Sequence, residues 1–357
     1  MSLKPEVGPE RAAPARPLRQ AADSEVQGNR MEFLPIERAA EAFQQPVTAD
    51  DIRAVCLRVF GADALSAREL GSGMYNNTYR VAVTGHERPV ILRVAPEPGR
   101  QFRSELQLMR NEYASVPWLT AIAPLMPRVI AADWSHEVIG RDYMVQTHLD
   151  GVPAPEGLGR YSRTSWPSFF RQMGSIARKI HGVRGPHFGP IAGPAYSTWS
   201  AAVAASLEDI TGDLDAVGLD SADLRKVAEV ARQHRAVLDE ITEPRCLSGD
   251  LWTVNVMLAE SAPEPLISGV LDLDRTWWGD PAADWTIRMA LAKADEREAF
   301  WESYGPQDRS PAAVLRSRIY EARHIGAIRL ERHRLGNVDT VPQTYELMQN
   351  VLDRLQA

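Results

Sequence analysis

The chain has 357 residues, 44% of them hydrophobic and 24% charged, with a formal net charge of −7. This length allows a large core and two lobes or domains, and so ordinary a composition excludes wholesale disorder. The acidic balance excludes a dedicated nucleic-acid binder, which needs a basic footprint.

Residues 1–30 are rich in Pro, Ala, Arg and Glu and nearly lack large apolar side chains. Such a segment cannot offset its ordering entropy, so a disordered tail is predicted. Thr48 is a candidate cap for a helix over 49–60. Strands are predicted at 78–83 and 89–94, around a turn containing Gly85, and again at 142–149. Between them, 102–116 has helical spacing, with Leu106, Met109, Tyr113 and Val116 on one face. After Gly151 the pattern turns helical. Ser165 is a candidate cap for a helix carrying Trp166, Phe169, Phe170, Met173, Ile176 and Ile180 on one stripe. Ser221 is another, for a long helix through Leu224, Val227, Val230, Val237 and Ile241. Two short apolar stretches, 254–258 and 267–273, read as strands flanking a polar turn, and the rest reads as helix. The expectation is an α+β chain in two lobes: 31–148 with a small antiparallel sheet and one helix, and 149–357 mainly helical.

Two cysteines, Cys56 and Cys246, are too few for a disulfide framework and form no paired metal motif. They read as buried filler in a reducing, cytoplasmic compartment. No apolar run reaches the roughly 18 residues of a membrane span, and the N-terminus lacks the apolar segment of a secretory signal.

The richest chemical pattern is Ser248-Gly249-Asp250-Leu251-Trp252-Thr253-Val254-Asn255, followed by Gly269-Val270-Leu271-Asp272 and then Gly279-Asp280-Pro281 with Asp284. Phosphoryl transfer needs such a set. One carboxylate orients the attacking hydroxyl and accepts its proton, while an Asn oxygen and a second carboxylate hold Mg²⁺ against the phosphates. Upstream, Leu70-Gly71-Ser72-Gly73-Met74-Tyr75-Asn76-Asn77 puts two glycines before a strand, where backbone N–H groups can approach phosphate. Arg93 stands inside the apolar strand Val90-Ile91-Leu92-Arg93-Val94, where a charge is costly unless paired.

Together these segments resemble the aminoglycoside phosphotransferase and choline kinase group, whose core signature runs H-G-D-x-x-x-x-N, an apolar strand ending I-D, then G-D-P-x-x-D. The resemblance implies a protein-kinase-like fold, Asp250 as the catalytic carboxylate, Asn255 and Asp272 as Mg²⁺ ligands, and Asp284 as the support of the catalytic loop. Ser248 replaces the family's usual, mostly structural His, which bears on loop packing. The glycine loop, with Ser72, Gly73 and Asn76, would cover the phosphates of ATP or GTP, and Tyr75 stands where Ser is common. Arg93 would contact phosphates and pair with Glu112, with Glu105 as the alternative partner. The backbone near Gln146 to His148 would form the hinge that meets the base, and His181 would be a packed structural histidine.

Asp274, Trp277 and Trp278 follow the metal carboxylate and are candidates to line the acceptor pocket. Acidic residues outnumber basic ones about two to one over 201–300, which suits a cationic acceptor. The predicted activity is phosphorylation of a hydroxyl on a small molecule. An antibiotic of aminoglycoside, peptide or nucleoside type, giving resistance, leads. A primary metabolite such as choline, a sugar or homoserine follows, then a non-catalytic nucleotide-binding relative. Only a short run separates Asp272 from Asp284, which disfavours a protein substrate.

Overall fold

A computed structural model describes residues 31–71 and 73–356. The expected tail and Ser72 lie outside the described residues. The first lobe is built from β1 (Glu32–Leu34), α1 (Ala49–Phe60), β2 (Ala64–Leu70), β3 (Asn77–Val83), β4 (Val90–Val94), α2 (Leu108–Ser115), β5 (Val129–Asp133) and β6 (Tyr143–Thr147). Its sheet has the order β1-β2-β3-β4-β6-β5 and is antiparallel except for β1, which runs parallel to β2. Thr48 closes a capping box with Asp51 at the start of α1, and Gly61 ends the helix in the left-handed conformation. Ile52, Val55 and Cys56 of α1 pack with Tyr79, Val81, Leu92 and Val145 of the sheet.

The helix expected over 102–116 is shorter and turned. Arg103–Glu105 forms a single 3₁₀ turn, Gln107 takes φ +59, and α2 begins only at Leu108. Leu106 and Tyr113, expected on the buried face, are 53% and 47% exposed. The face turned inward instead holds Leu108, Met109, Asn111, Glu112 and Ser115. Apolar spacing misplaces this helix because its inward polar groups have partners in the site described below.

The second lobe comprises β7 (Val152–Pro153), α3 (Ala154–Gly157), α4 (Trp166–His181), β8 (Gly189–Pro190), α5 (Trp199–Ala216), α6 (Ala222–Gln233), α7 (Arg235–Leu238) and β9 (Arg245–Leu247). It continues with β10 (Val256–Leu258), β11 (Ile267–Val270), β12 (Trp277–Gly279), α8 (Trp285–Leu291), α9 (Glu298–Tyr304), α10 (Pro311–Arg334) and α11 (Val341–Gln356). The α4 stripe packs as expected, with Phe169, Phe170, Met173, Ile176 and Ile180 buried. Ser165 and Ser221 stand at the N-cap positions of α4 and α6 as expected, but neither side chain accepts a capping hydrogen bond. Ser162 accepts from the Thr164 N–H one turn earlier, and Ser221 Oγ donates to Asp215. The helix expected through Ile241 breaks at His234 into α6 and α7. Helix α5 has no counterpart in the sequence reading. Its buried residues Trp199, Val203, Leu207, Ile210 and Leu214 share one face, but Ala201, Ala204 and Ala205 on the outer face blur the apolar–polar contrast that would mark it.

Two three-stranded sheets, β11-β10-β7 and β8-β12-β9, frame the polar loops between the lobes. Both cysteines are free and buried, and burial pushes their thiols up to about 11 at Cys56 and about 12 at Cys246. Among the described residues no helix is long and apolar enough to cross a membrane.

Candidate active site

The loop from Ser248 to Asn255 joins β9 to β10 and is held from below by Asp284. This buried carboxylate accepts from the Ser248 N–H (2.6 Å), Ser248 Oγ (2.7 Å), the Gly249 N–H (3.0 Å) and His181 Nε2 (2.8 Å). His181 reaches Tyr304 Oη through its other ring nitrogen at 2.8 Å. Burial opposes ionisation of Asp284, but the His181 and Ser248 hydrogen bonds outweigh it and hold the carboxyl below its usual range. The Ser248 hydroxyl therefore keeps the loop anchored where the resembling family has His. Gly249 has φ +80, and a Cβ there would collide with the Arg275 carbonyl.

At the loop's head, Asp250 is half-buried. Burial first, then Asp272 and Glu331, push its carboxyl up to about 7 against the pull of Arg275 and Asn255. Asn255 Nδ2 donates to the Asp250 carbonyl (2.9 Å) and to Asp250 Oδ2 (3.0 Å), so its amide oxygen is the atom left for another partner. The Leu271 N–H donates to the Asn255 carbonyl at 2.9 Å, which brings Asp272 alongside. Asp272 takes φ +58, an uncommon conformation for a side-chain-bearing residue, as it turns off β11.

Asp272 Oδ1 lies 2.5 Å from Arg93 Nη2, and Arg93 Nη1 bonds Glu112. Glu112 also accepts from Gln146 Nε2 at 3.3 Å. One guanidinium thus bridges a helix carboxylate and the carboxylate at the end of β11. Asn255 and Asp272 offer one amide oxygen and one carboxylate. Among the described residues no cluster of three His, Cys, Asp or Glu could hold a metal. Two hard oxygens with phosphate and water to complete the shell suit Mg²⁺ rather than a protein-caged ion. The crowding of Asp250, Asp272 and Asp274 adds negative charge that a divalent cation would relieve.

The glycine loop is steadied by Gln44, whose Nε2 donates to the carbonyls of Gly73 (3.1 Å) and Asn76 (2.9 Å). Among the described residues the buried Asn76 side-chain oxygen has no partner. At the hinge, Gln146 lies in the β4–β6 ladder, and the Thr147 N–H is taken by the Arg128 carbonyl at 2.9 Å. His148 is the next residue along, with Nδ1 3.7 Å from Asp150 Oδ1. Gly73, Asn76, Arg93, Glu112, Gln146, His148, Asp250, Asn255 and Asp272 line one cleft of about 1580 Å³. Asp274 and Trp277 line it too. Burial first, then Asp272, drives the Asp274 carboxyl well above its usual range. Trp278 does not line the cleft. It is 1% exposed, edge-on to Trp118 at 5.0 Å, and packed so tightly that a Cβ on Gly185 would strike it. Successive residues of a strand face opposite ways, so only one of the two tryptophans of β12 can look into the cleft.

The model of the phosphotransferase enzyme family matches residues 66–349. The chain belongs to that family. No curated protein sequence matches it significantly. Among solved structures, aminoglycoside phosphotransferase APH(4)-Ia superposes with a TM-score of 0.60 at 16% identity, over 87% of this chain and 100% of that one. A thermostable mutant of the same protein, in ternary complex with AMP-PNP and hygromycin B, gives 0.59 at 18% identity, over 86% and 99%. A putative aminoglycoside phosphotransferase from Ralstonia eutropha JMP134 gives 0.55 at 15% identity, over 86% and 98%. The fold is therefore protein-kinase-like, and the chain is a phosphotransferase that takes a hydroxyl as acceptor.

Several site contacts of this phosphotransferase escaped the sequence. Glu105, the alternative partner expected for Arg93, is buried and instead accepts from Arg275 Nη2 (2.7 Å) and from Arg334. Burial raises its pKa, but the two guanidinium groups outweigh that and hold it below the usual range. Arg334 also lies over the rings of Phe43 (4.8 Å) and Tyr75 (5.1 Å), and Tyr75 Oη donates to the Glu105 carbonyl at 2.8 Å. The unusual tyrosine of the glycine loop is thereby tied to α10. Asn111, next to Glu112, donates to the carbonyls of Asp274 (2.8 Å) and Thr276 (2.9 Å) and accepts from the Ala192 N–H (2.8 Å). Helix α2 thus fixes both Arg93 and the loop after Asp272. The available signals were Arg275 directly after Asp274 and the polar residues of α2 that broke its apolar stripe.

Proposed function

We propose that this phosphotransferase moves the γ-phosphoryl group of ATP or GTP to a hydroxyl of a small molecule, with an antibiotic as first candidate and resistance as the outcome. The observation that carries the reading is the convergence of Asp250, Asn255 and Asp272 beside the Arg93–Glu112 pair in one cleft. Asp250 orients the acceptor hydroxyl and takes its proton as the new O–P bond forms. A carboxyl pushed up to about 7 is well matched to accepting a proton near neutral pH. Asn255 holds Asp250 in place and, with Asp272, would hold Mg²⁺, which supplies neutralisation of phosphate charge when bound. Arg93 fixes Glu112 and Asp272 relative to each other and presents its charge to the phosphates. Only a forked guanidinium can make both contacts at once. The glycine loop and the His148 backbone would receive phosphates and base.

The antibiotic reading leans on structural neighbours solved with hygromycin B and AMP-PNP, or with kanamycin and GDP. Dependence on a nucleoside triphosphate and two free thiols suit a cytoplasmic setting. The test is a nucleotide-consumption screen over antibiotics and hydroxylated metabolites, with the phosphate then located on the product. Acceptor-dependent ADP or GDP formation that yields a phosphate monoester is expected. Nucleotide turnover unaffected by every acceptor, with no phosphorylated product, would contradict the reading.

A further inference from the structure

One face of α10 borders the acceptor side of the cleft, through Tyr320, Arg323, His324, Ala327 and Glu331. These positions follow the i, i+3 and i+4 spacing that aligns side chains on a helix. Arg323 stands out among them. Its Nε donates to Ser206 Oγ of α5 at 2.6 Å, and its guanidinium lies 4.7 Å from the centre of the Trp277 ring. Arg93, Arg275 and Arg334 each have a carboxylate partner in the same cleft. Among the described residues Arg323 has none. The charge that acts on it is another cation, Arg275. Burial, then Arg275, push it down to about 10, so it still carries its proton at neutral pH. The indole N–H groups of Trp252 and Trp285, in the same wall, are buried and have no acceptor among the described residues. Beside Arg323 the wall offers donors, and its own carboxylate, Glu331, lies about two turns further along α10. The acidic residues Glu208 and Asp209 lie further along α5, where Asp209 already senses Arg103.

The geometry points to an acceptor that bears a carboxylate: Arg323, held by Ser206 and backed by Trp277, binds that carboxylate while the molecule's hydroxyl meets Asp250. This rests on the phosphotransferase reading above and reverses the charge expected from the lobe's acidic composition. A single planar guanidinium matches the charge and the two-oxygen geometry of one carboxylate. The indole face beneath it shields the pair from water. The same helix face carries Glu331 eight residues, about 12 Å, beyond Arg323. Choline, which has no carboxylate, does not fit such a site.

The test uses the full chain with Mg²⁺ and a non-hydrolysable ATP analogue. Calorimetry compares hydroxylated peptide and aromatic carboxylic acids with their primary amides, in matched pairs of graded length. For at least one pair the acid is expected to bind about tenfold tighter than the amide. Arg323→Gln should close that gap and Arg323→Lys should keep part of it, with thermal melting to check folding. Equal binding of acid and amide across the panel, no binding of any acid, or a gap that survives Arg323→Gln would overturn the inference. The acid–amide comparison on the unaltered protein stands even if a variant fails to fold. If neutral or cationic acceptors are phosphorylated and acids are not, this inference fails while the phosphotransferase reading holds. If no acceptor of any charge supports nucleotide turnover, the functional reading fails instead, and calorimetry still reports on Arg323.

Discussion

Two buried arginine–glutamate networks flank the loop that carries Asp250, and they are near mirror images in charge. In the first, one arginine, Arg93, is shared by two carboxylates, Glu112 and Asp272. In the second, one carboxylate, Glu105, is shared by two arginines, Arg275 and Arg334. The glutamates respond in opposite directions. Burial raises both, but Glu112 ends above its usual range, with Asp272 adding to burial, whereas two guanidinium groups pull Glu105 below it. The short run Asp272-Leu273-Asp274-Arg275 joins the networks. The first leaves a negative surplus where phosphates and a cation would enter. The second balances it and ties the glycine loop, through Tyr75, to the second lobe. One network is suited to chemistry and the other to holding the lobes in register.

That division can be broken by substitution. Glu105→Ala leaves two buried arginines without a counter-charge and should cost about 3–5 kcal/mol of stability, read as a lowered denaturation midpoint. A loss of activity with unchanged stability would reverse the roles assigned. The same residue sets a pH dependence. A carboxyl depressed in the fold contributes stability that is present above its unfolded pKa of about 4.3 and is lost as pH falls through the folded value. Glu105→Gln should flatten that part of the acid limb of unfolding, and an unchanged limb would contradict the assignment. Arg93→Ala should act on turnover instead, lowering kcat/KM for nucleotide about a hundredfold. Arg93→Lys should recover only part, because one ammonium cannot span Glu112 and Asp272. Equal rates for Lys and Arg would mean that the double contact is idle. The smallest effect is expected at Tyr75→Phe, which removes one hydrogen bond to the Glu105 carbonyl. It should cost about 1 kcal/mol and raise KM for nucleotide more than it lowers kcat.

The same pair shows what a sequence can disclose. Arg93 was visible because a charge in an apolar strand demands a partner, and Glu112 lies only 19 positions away on the next helix. Glu105 meets Arg275 and Arg334 across 170 and 229 positions, with no local pattern to link them. The loop from Ser248 to Asn255, Asp272 and Asp284 were legible because turn chemistry, strand ends and spacing lie within one short stretch. Helix α2 was misplaced because its polar residues face inward to make site contacts. Helix α5 was missed because alanines on its outer face, Ala201, Ala204 and Ala205, blur the contrast with its buried stripe. Trp278 was assigned to the pocket by proximity to Trp277, although strand alternation sends the two indoles to opposite faces. The sign of charge at the acceptor wall was out of reach of composition, since it depends on Arg323 having no carboxylate beside it.

The central claim is that Asp250 handles the acceptor's proton in a cleft whose nucleotide side is built separately. Asp250→Asn retains the shape of the loop and the Asn255 contacts but cannot accept that proton. Single-turnover phosphoryl transfer by this variant, measured alongside nucleotide affinity, tests the claim most directly. The account predicts nucleotide binding within a few-fold of the parent and transfer slowed by about 10² to 10⁴. Transfer within a few-fold of the parent, with binding intact, would contradict it.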